Sequence, residues 1–552
     1  MTDRRSGRVH RVLGALFAVG VAVRMGPLHW SSLPFNPDGI VYAGQVRLAV
    51  ATGELPLFRM PVDDVHFTAL LTMVATITGE PALRIAQPAV AVIGTVPVLV
   101  AAAITRRLVR RLRADHHTLA VVVTGGLLAV SGPVLHRTMA VDEQTLGLLL
   151  VPLGVVAYAR ARRTGRPALY ASAALCAVVL PATHNLDTVV FGLALVGWTA
   201  LDRGGTARSR LLGVAVAAGY WIYAVGYFRL ADRLTLAYIV QQGRLTDELD
   251  LFVAWVILGV FLLAALRRGR SRRLRVVGGF TACVWFGLLV ANGIVAVFPG
   301  LPMTPPAVLL ALCLLALPTI AAAWALPEAL GDRPDGVAVV ALAAAVVVVI
   351  GFSLTASLTP PYFNSIYRVQ TFAHLPWAVL AGVAVGVLVS RGFVDGRRDR
   401  RRRWMAPGVG VLILVCAAAS APIAFAGVDT LSYKGVTEEA EFAGMDHAVQ
   451  TVPGTWSGDD HLVRIAAYHS RDEPAVREPV ATWIRGGPPP SCPVVSQRSW
   501  TTVGAQQYPA ATEAVAPGRY DAFLRSRQVV YDAGTADRVV VSTPFTGTTQ
   551  RC

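Results

Sequence analysis

The segment that decides the fold runs from Ile85 to Thr105, IAQPAVAVIGTVPVLVAAAIT, and RRLVRRLR follows it at 106–113. The segment carries no charge and is long enough to cross the hydrocarbon core of a bilayer, which takes roughly 20 apolar residues in a helix. Basic residues directly after such a segment are typical of the cytoplasmic side. The sequence therefore predicts a membrane-spanning helix that ends at the cytoplasmic surface.

The same pattern recurs along most of the chain. The 552 residues are 54% hydrophobic and only 15% charged, whereas soluble domains carry about 25% charge. We therefore expect a mostly α, polytopic transmembrane helix bundle. Thirteen spans are predicted, at 12–27, 85–105, 117–133, 144–160, 167–183, 186–202, 211–227, 250–266, 276–298, 306–326, 337–355, 371–390 and 406–427.

The arginines set the predicted orientation. They cluster in short runs between alternate spans, for example at 106–113, 160–166, 267–275 and 391–403. Lysine and arginine collect in cytoplasmic loops, so the N-terminus is predicted to be cytoplasmic. The net charge of +16 comes largely from these runs, and we therefore expect no nucleic-acid partner. An odd number of spans places the C-terminal tail outside the cytoplasm.

Two domains are predicted. Residues 1–427 form the membrane domain, whose long external loop at 28–84 contains an apolar helix at 66–79 that is too short to span and lies along the membrane surface. Residues 428–552 form a small extracytoplasmic α+β domain. Within it we expect a helix at 438–452 and a β-hairpin from 527–531 and 538–542.

Two further features of the tail and the loops are informative. Cys492 and Cys552 both lie in the tail, and outside the cytoplasm they are expected to form a disulfide.

Asp38, Asp142 and Glu143 lie in external loops next to apolar spans, where carboxylates are costly and usually functional. A structural alternative exists for each. Asn-Pro-Asp-Gly around Asp38 is a turn signal, and the second-loop acids could cap the fourth span.

The first loop carries a resemblance to a known class of enzymes. Asp38-Gly39-Ile40-Val41-Tyr42, continuing to Leu48 and Gly53, resembles the Asp-Glu-x-x-Tyr…Leu…Gly opening of the GT-C membrane glycosyltransferases. Protein O-mannosyltransferases and the lipid A aminoarabinose transferase belong to this class.

Two later segments extend the resemblance over residues 1–205. The surface helix ends at Gly79, and Pro81-Ala82-Leu83-Arg84 leads into a span that closes on Arg106-Arg107-Leu108, as in the family. His136 to Glu143 resembles the second-loop motif, in which Arg-x-x-x-x-Asp precedes the fourth span.

The resemblance implies a transferase that moves a sugar from a polyprenyl-phosphate-linked donor, held in the membrane lipid, to an extracytoplasmic protein or glycan acceptor. Such chemistry needs a base for the acceptor and a positive charge for the donor phosphate. Asp38, Asp142 and Glu143 are the implied catalytic residues. The residues implied to bind substrate are Tyr42, Arg137, His184 and Arg368.

A divalent metal ion, Mg²⁺ or Mn²⁺, is also expected. Asp64 and His66 could supply oxygen and nitrogen ligands from one short segment, although Asp63 and Asp64 could instead cap the surface helix. His184 could instead lie in a solvated turn, and Arg368 could follow an interfacial aromatic belt.

One departure from the family pattern keeps other functions open. Gly39 replaces the second acidic residue of the family pair. A catalytically inactive relative that serves cell-surface assembly therefore remains an alternative. A secondary transporter is the other, because transporters also place rare carboxylates in helix bundles.

Overall fold

The structure is a computed structural model of the 552-residue chain. It describes residues 2–110, 114–202, 206–233, 245, 247–269, 271–297, 299, 303–331, 333–395, 400–425, 434–452, 454–469, 475–508, 512–534, 539–545 and 552.

Helices account for 77% of the residues that the structure describes, in agreement with the predicted mostly α fold. Up to residue 425 the described helices are α1 (Thr2–Arg24), α2 (Pro37–Thr52), α3 (Val65–Thr78), α4 (Ala82–Leu108), α5 (Ala114–Val130), α6 (Gly132–Thr138), α7 (Gln144–Thr164), α8 (Pro167–Val179), α9 (Asn185–Leu201), α10 (Ala207–Arg233), α11 (Leu249–Arg268), α12 (Ser271–Ile294), α13 (Pro306–Leu314), α14 (Ala316–Ala329), α15 (Pro334–Ala356), α16 (Pro360–Val369), α17 (His374–Asp395) and α18 (Arg400–Ser420).

Fewer helices are long and apolar enough to cross a membrane than the thirteen spans that the sequence predicted. Within the described residues, eight helices are long and apolar enough to cross a membrane, or ten if each of two bent pairs is one span. Each of the thirteen predicted spans overlaps a helix, but some of these helices are short or carry more charge. The chain is a multi-pass membrane protein, and the count of thirteen stays a prediction.

The first loop, at 28–84, contains the helix predicted at 66–79, which forms as α3 and ends at Gly79 with a φ of 71°. A left-handed residue after the last turn favours glycine, because glycine has no Cβ to clash. The apolar face of α3 buries Phe67 and Leu71 beside α2 and α4. Its position along the membrane surface stays a prediction.

Two buried polar side chains hold the membrane helices to this loop. The break between α5 and α6 bends the chain by 59° and frees carbonyl groups from helical bonding. Arg24, fully buried, donates to the carbonyl of Leu128 (3.0 Å) and to the hydroxyl of Thr138 (2.9 Å). Gln87 in α4 donates to the carbonyl of Arg24 (3.0 Å) and accepts from the backbone of Phe35 (2.9 Å). The start of the loop is thereby fixed to the bundle.

The tail forms the α+β unit that the sequence predicted. Its strands are β1 (Trp456–Ser457), β2 (Ala475–Val476), β3 (Val494–Gln497), β4 (Arg527–Asp532) and β5 (Val539–Pro544), in the order β2-β1-β3-β5-β4. β1 pairs in parallel with β2 and β3, and β5 is antiparallel to β3 and β4. Its helices are α19 (Glu439–Thr451), α20 (Asp460–His469), α21 (Glu478–Ile484) and α22 (Pro517–Arg525).

Local predictions for the tail are confirmed. The helix expected at 438–452 is α19, which begins with a capping box between Glu438 and Glu441. The hairpin is formed by β4 and β5, although 535–538 of its turn lie outside the described residues. Cys492 and Cys552 form the expected disulfide. The predicted domain boundary at 427/428 also lies outside the described residues and stays a prediction.

The tail packs on the first loop, mainly through α20 against α2. The Arg47 guanidinium carbon lies 4.3 Å from the centroid of the Tyr468 ring. Ser31 donates to the carbonyl of Thr437 (2.6 Å), and Ile40 is buried within the apolar core of the tail. The loop and the tail therefore share one interface beside the start of α2.

Candidate active site

The site is built around the N-terminus of α2. Asn36 has a φ of 82°, and its side chain accepts a hydrogen bond from the backbone of Asp38 (3.2 Å). Pro37 occupies the first helical position, where its missing N–H costs nothing. The Asn-Pro-Asp-Gly signal therefore begins a helix instead of forming a separate turn, and Asp38 lies in its first turn.

Gly39 is enclosed by the second loop. A Cβ at this position would lie 2.7 Å from the Cβ of Pro34 and 2.8 Å from the Cβ of Val141. Both contacts are closer than side chains tolerate, so only glycine allows α2 to pack this close to Val141. The departure from the family's acidic pair thus has a packing cause.

The hydroxyl of Tyr42 joins two buried carboxylates. It lies 3.1 Å from Asp64 Oδ1 and also contacts Glu143 Oε2. Asp64 occupies the N-cap position of α3, but its side chain makes no capping bond. Burial, and then the charge of Glu143, raise the pKa of Asp64 well above its ordinary value. The side chain of Asp64 therefore serves the cluster and does not cap the helix.

The second-loop acids continue this cluster. Asp142 accepts from the backbone of Gln144 (2.8 Å) with one oxygen, and its other oxygen lies 3.5 Å from Arg368 Nη2. One residue thus both caps α7 and faces the site. Burial raises the pKa of Asp142, but the positive charges of Arg368 and Arg137 outweigh it and hold the pKa well below its ordinary value.

Glu143 and His184 face each other across the site. His184 Nε2 lies 3.4 Å from Glu143 Oε1, and Nδ1 lies 2.8 Å from Asp187 Oδ1. Burial, and then the charge of Asp142, raise the pKa of Glu143 to about 8. Burial lowers the pKa of His184, but Asp187 and Glu143 outweigh it and raise the pKa to about 9. His184 is only 1% exposed, which excludes the solvated turn.

Arg368 connects these groups. Its Nη1 lies 3.7 Å from Glu143 Oε1 and 3.1 Å from His184 Nε2. That ring nitrogen accepts from Arg368 when the imidazole is neutral and donates to Glu143 when it is charged. A second arginine, Arg137, lies 4.7 Å above the ring of Tyr367. Both arginines line the same end of the cavity as the acidic cluster, and the positive charge of each acts on Asp142.

The two expected metal ligands, Asp64 and His66, do not come together in the structure. Asp64, Glu143 and the Tyr42 hydroxyl offer the oxygen ligands that Mg²⁺ and Mn²⁺ prefer. His66 does not join them, since its Nδ1 lies 3.1 Å from the carbonyl of Val179. In the part of the chain that the structure describes, no three His, Cys, Asp or Glu side chains lie close enough to hold a metal ion. The metal role of Asp64 and His66 therefore stays a prediction.

The acidic cluster forms the polar end of one large cavity. The cavity measures about 1340 Å³ and is lined at this end by the side chains of Asp38, Tyr42, Asp64, Asp142, Glu143, Arg137 and Arg368. Beyond them its walls are apolar and come from α11 to α15 and α17. Representative wall residues are Leu262, Trp285, Leu289, Leu312, Val347 and Leu380.

Three site features were missed at the level of sequence. Asp187 follows His184 in the segment His184-Asn185-Leu186-Asp187 and pairs with its ring. Asp63 accepts from the side chain of Asn185 (2.7 Å) and thereby ties the first loop to the start of α9. Arg464, from the tail, pairs with Asp38. No motif marks Arg464, so only the folded chain brings it to the site.

Comparison with solved structures identifies the fold. The archaeal oligosaccharyltransferase AglB from Archaeoglobus fulgidus matches in its apo form at 13% identity and a TM-score of 0.56, over 90% of this chain and 70% of that one. Its complex with an inhibitory peptide and a dolichol-phosphate matches at 13% identity and a TM-score of 0.55, over 89% and 69%. The GT-C fold predicted from the sequence is therefore confirmed.

Other comparisons add less. AglB has also been solved in complex with Zn and sulfate, and this form matches at 12% identity and a TM-score of 0.53, over 93% of this chain and 69% of that one. ArnT from Cupriavidus metallidurans bound to undecaprenyl phosphate gives a TM-score of 0.48 at 15% identity, over 97% and 98%, which is too low to show a shared fold. No family model matches the chain, and no curated protein matches it.

The packing of Gly39 predicts that restoring the family's acidic pair is harmful. Gly39→Asp is expected to lower the apparent melting temperature in detergent, because overpacking of this kind costs about 1–3 kcal/mol. Ala51→Asp adds the same charge on an exposed face of α2 and is the matched control. Equal melting temperatures for the two variants would contradict the packing account.

The protonation of the site predicts a dependence of stability on pH. Folding raises the pKa of Glu143 from 4.5 to about 8 and the pKa of His184 from 6.5 to about 9. At pH values within these ranges the folded protein keeps a proton on each side chain. The unfolded chain has released them over these ranges, so stability falls as pH rises. We expect Glu143→Gln and His184→Gln each to flatten the fall in apparent melting temperature between about pH 6 and 9. The exposed variant Glu80→Gln should show the wild-type fall in melting temperature with pH. An unchanged fall in both site variants would refute the assignment of this pH dependence to Glu143 and His184.

Proposed function

We propose that this protein is a membrane glycosyltransferase that moves a sugar from a polyprenyl-phosphate-linked donor to a protein or glycan acceptor outside the cytoplasm. The observation that carries the proposal is the continuity of the cavity. Its carboxylates and arginines lie at one end, and the remainder is apolar and large. A ligand that suits both parts has a charged headgroup and a long apolar chain.

The apolar part of the cavity fits the polyprenyl chain. Its walls are helices α11 to α15, whose side chains offer no charge along the path. Burying a long hydrocarbon chain against such walls is favourable, at roughly 25 cal/mol per Å² of apolar surface. The shared fold adds support, since AglB was solved with a dolichol-phosphate.

The donor phosphate is bound by arginine in this proposal. The planar guanidinium groups of Arg368 and Arg137 match the oxygens of a phosphate, and both line the polar end of the cavity. His184 lies next to Arg368 and adds positive charge beside it when the imidazole is protonated. Asp142 orients Arg368 through its ion pair, and Tyr42 positions the carboxyl of Glu143.

Asp38 is the proposed base. It takes the proton of the acceptor group while the acceptor oxygen or nitrogen bonds to the anomeric carbon of the sugar. The bond between that carbon and the phosphate oxygen breaks, and its electron pair leaves with the polyprenyl phosphate. Glu143, which holds a proton at neutral pH, faces the arginine that receives this leaving group. A divalent ion near Asp64 remains a proposal that rests on the sequence resemblance alone.

The tail lies over the polar end and is proposed to help bind the acceptor. Tyr508 of the tail accepts from the side chain of Asn364 (2.6 Å) at the start of α16, and both residues line the cavity. In this proposal that side lies outside the cytoplasm, and the arginine distribution supports this orientation. The protein would then act in the assembly of the cell envelope.

The central test is transfer by purified protein in proteoliposomes. Radiolabelled sugars on polyprenyl phosphate are supplied, and lipid-free product is counted. Asp38→Asn is expected to lower the rate at least about 100-fold, because it removes the general base but keeps the shape of the side chain. Glu80→Gln changes an exposed carboxylate of the same loop and should retain wild-type activity.

Two results would count against the proposal. Full activity of Asp38→Asn would remove Asp38 from catalysis. A wild-type protein that binds polyprenyl phosphate but transfers no sugar from any donor would favour an inactive relative of the GT-C enzymes.

A further inference from the structure

The tail contributes side chains to the polar end of the cavity. Arg464 of α20, Arg477, Tyr508 and Thr512 line it together with the loop residues. The C-terminal unit is therefore part of the wall of the site and not only its neighbour.

Arg464 has an anchored orientation. Its Nε donates to Asp460 Oδ2 (2.7 Å), and its guanidinium carbon lies 5.4 Å from the centroid of the Tyr508 ring. Asp460 is itself only 1% exposed, and its other oxygen pairs with Arg477 (2.5 Å). A guanidinium fixed at one edge by a buried carboxylate points its free edge in a defined direction.

That free edge meets Asp38. Arg464 Nη1 forms an ion pair with Asp38 Oδ1, while Asn36 Nδ2 lies 3.3 Å from Asp38 Oδ2. The carboxylate is held from both sides, by an amide of the first loop and by a guanidinium of the tail. Its side chain is 22% exposed, so it remains open to the cavity.

We propose that Arg464 is a positioning residue supplied by the tail, which holds the Asp38 carboxylate ionised and aimed into the cavity. The site is then incomplete until the tail is docked. The base role of Asp38 rests on the proposed function, whereas the contact between Arg464 and Asp38 does not.

The other contacts between tail and loop allow this role to be separated from simple docking. Arg47 packs on Tyr468, and Ser32 donates to Glu439 (2.6 Å), both without touching Asp38. Arg47→Gln therefore weakens the same interface by a comparable change of charge and is the matched control. Arg464→Lys keeps the positive charge and loses only the planar guanidinium group with its paired donors.

The test measures the reactivity of the Asp38 carboxyl and needs no substrate. The full-length protein in detergent is treated with a water-soluble carbodiimide and glycine ethyl ester, and labelling of Asp38 is quantified by peptide mass spectrometry. Carbodiimides attack the protonated carboxyl. We expect about tenfold faster labelling in Arg464→Gln, because an opposite charge in contact favours the ionised carboxylate by roughly that factor or more.

The controls decide between positioning and docking. Arg464→Lys and Arg47→Gln should both label close to the wild-type rate. Unchanged labelling in Arg464→Gln would overturn the proposal, and so would an equal increase in Arg47→Gln. The intact Cys492–Cys552 disulfide and an unchanged elution volume verify that each variant is folded.

Kinetics provide a second readout. In the transfer assay Arg464→Gln should lower kcat about tenfold or more with little change in KM for the lipid donor, and Arg464→Lys should recover part of kcat. A change confined to KM would contradict a positioning role. If no donor supports transfer by the wild-type protein, the proposed function fails, and the labelling result still decides the role of Arg464.

Discussion

The cost of burying carboxylates beside an apolar cavity governs this structure. Asp64, Asp142 and Glu143 are each less than 10% exposed, and an unpaired buried charge costs several kcal/mol. The fold meets this cost with Arg368, from the last turn of α16, and His184, from the start of α9, and the raised pKa values of Asp64 and Glu143 reduce the charge that is buried. Four segments that are distant in sequence have to converge for the cluster to be stable. The stability of the acidic cluster and the packing of the loops therefore depend on each other.

Polar anchors within the bundle make that convergence possible. Gln87 and Arg24 fix the start of the first loop to α4 and to the bend between α5 and α6. Gly39 allows α2 to approach the second loop, which brings Tyr42 within reach of Glu143. The tail then closes the same end through Arg464. Each contact restricts the first loop further, so its carboxylates have little freedom to reorient.

Much of this was predictable from the sequence. Long apolar segments and arginine runs predicted the helical membrane bundle, and the resemblance to the GT-C enzymes pointed to Asp38, Tyr42, Asp142, Glu143, His184 and Arg368, which line or adjoin one cavity. Short-range patterns cannot report contacts between distant segments. For that reason the roles of Asp187 and Arg464 were missed, and Asp64 remained divided between a helix cap and a site residue. His66 lies close to Asp64 in sequence but faces the carbonyl of Val179, because neighbours in sequence need not point the same way.

The measurement that tests the central claim most directly is a cryo-EM structure of the protein in nanodiscs with a polyprenyl phosphate. The account predicts the phosphate beside Arg368 and Arg137, and the prenyl chain along the apolar walls formed by α11 to α15. The sugar-bearing side of the phosphate would then face Asp38. A lipid bound only on the outer surface of the bundle, or a phosphate remote from the carboxylate cluster, would contradict the claim that this cavity is the donor site.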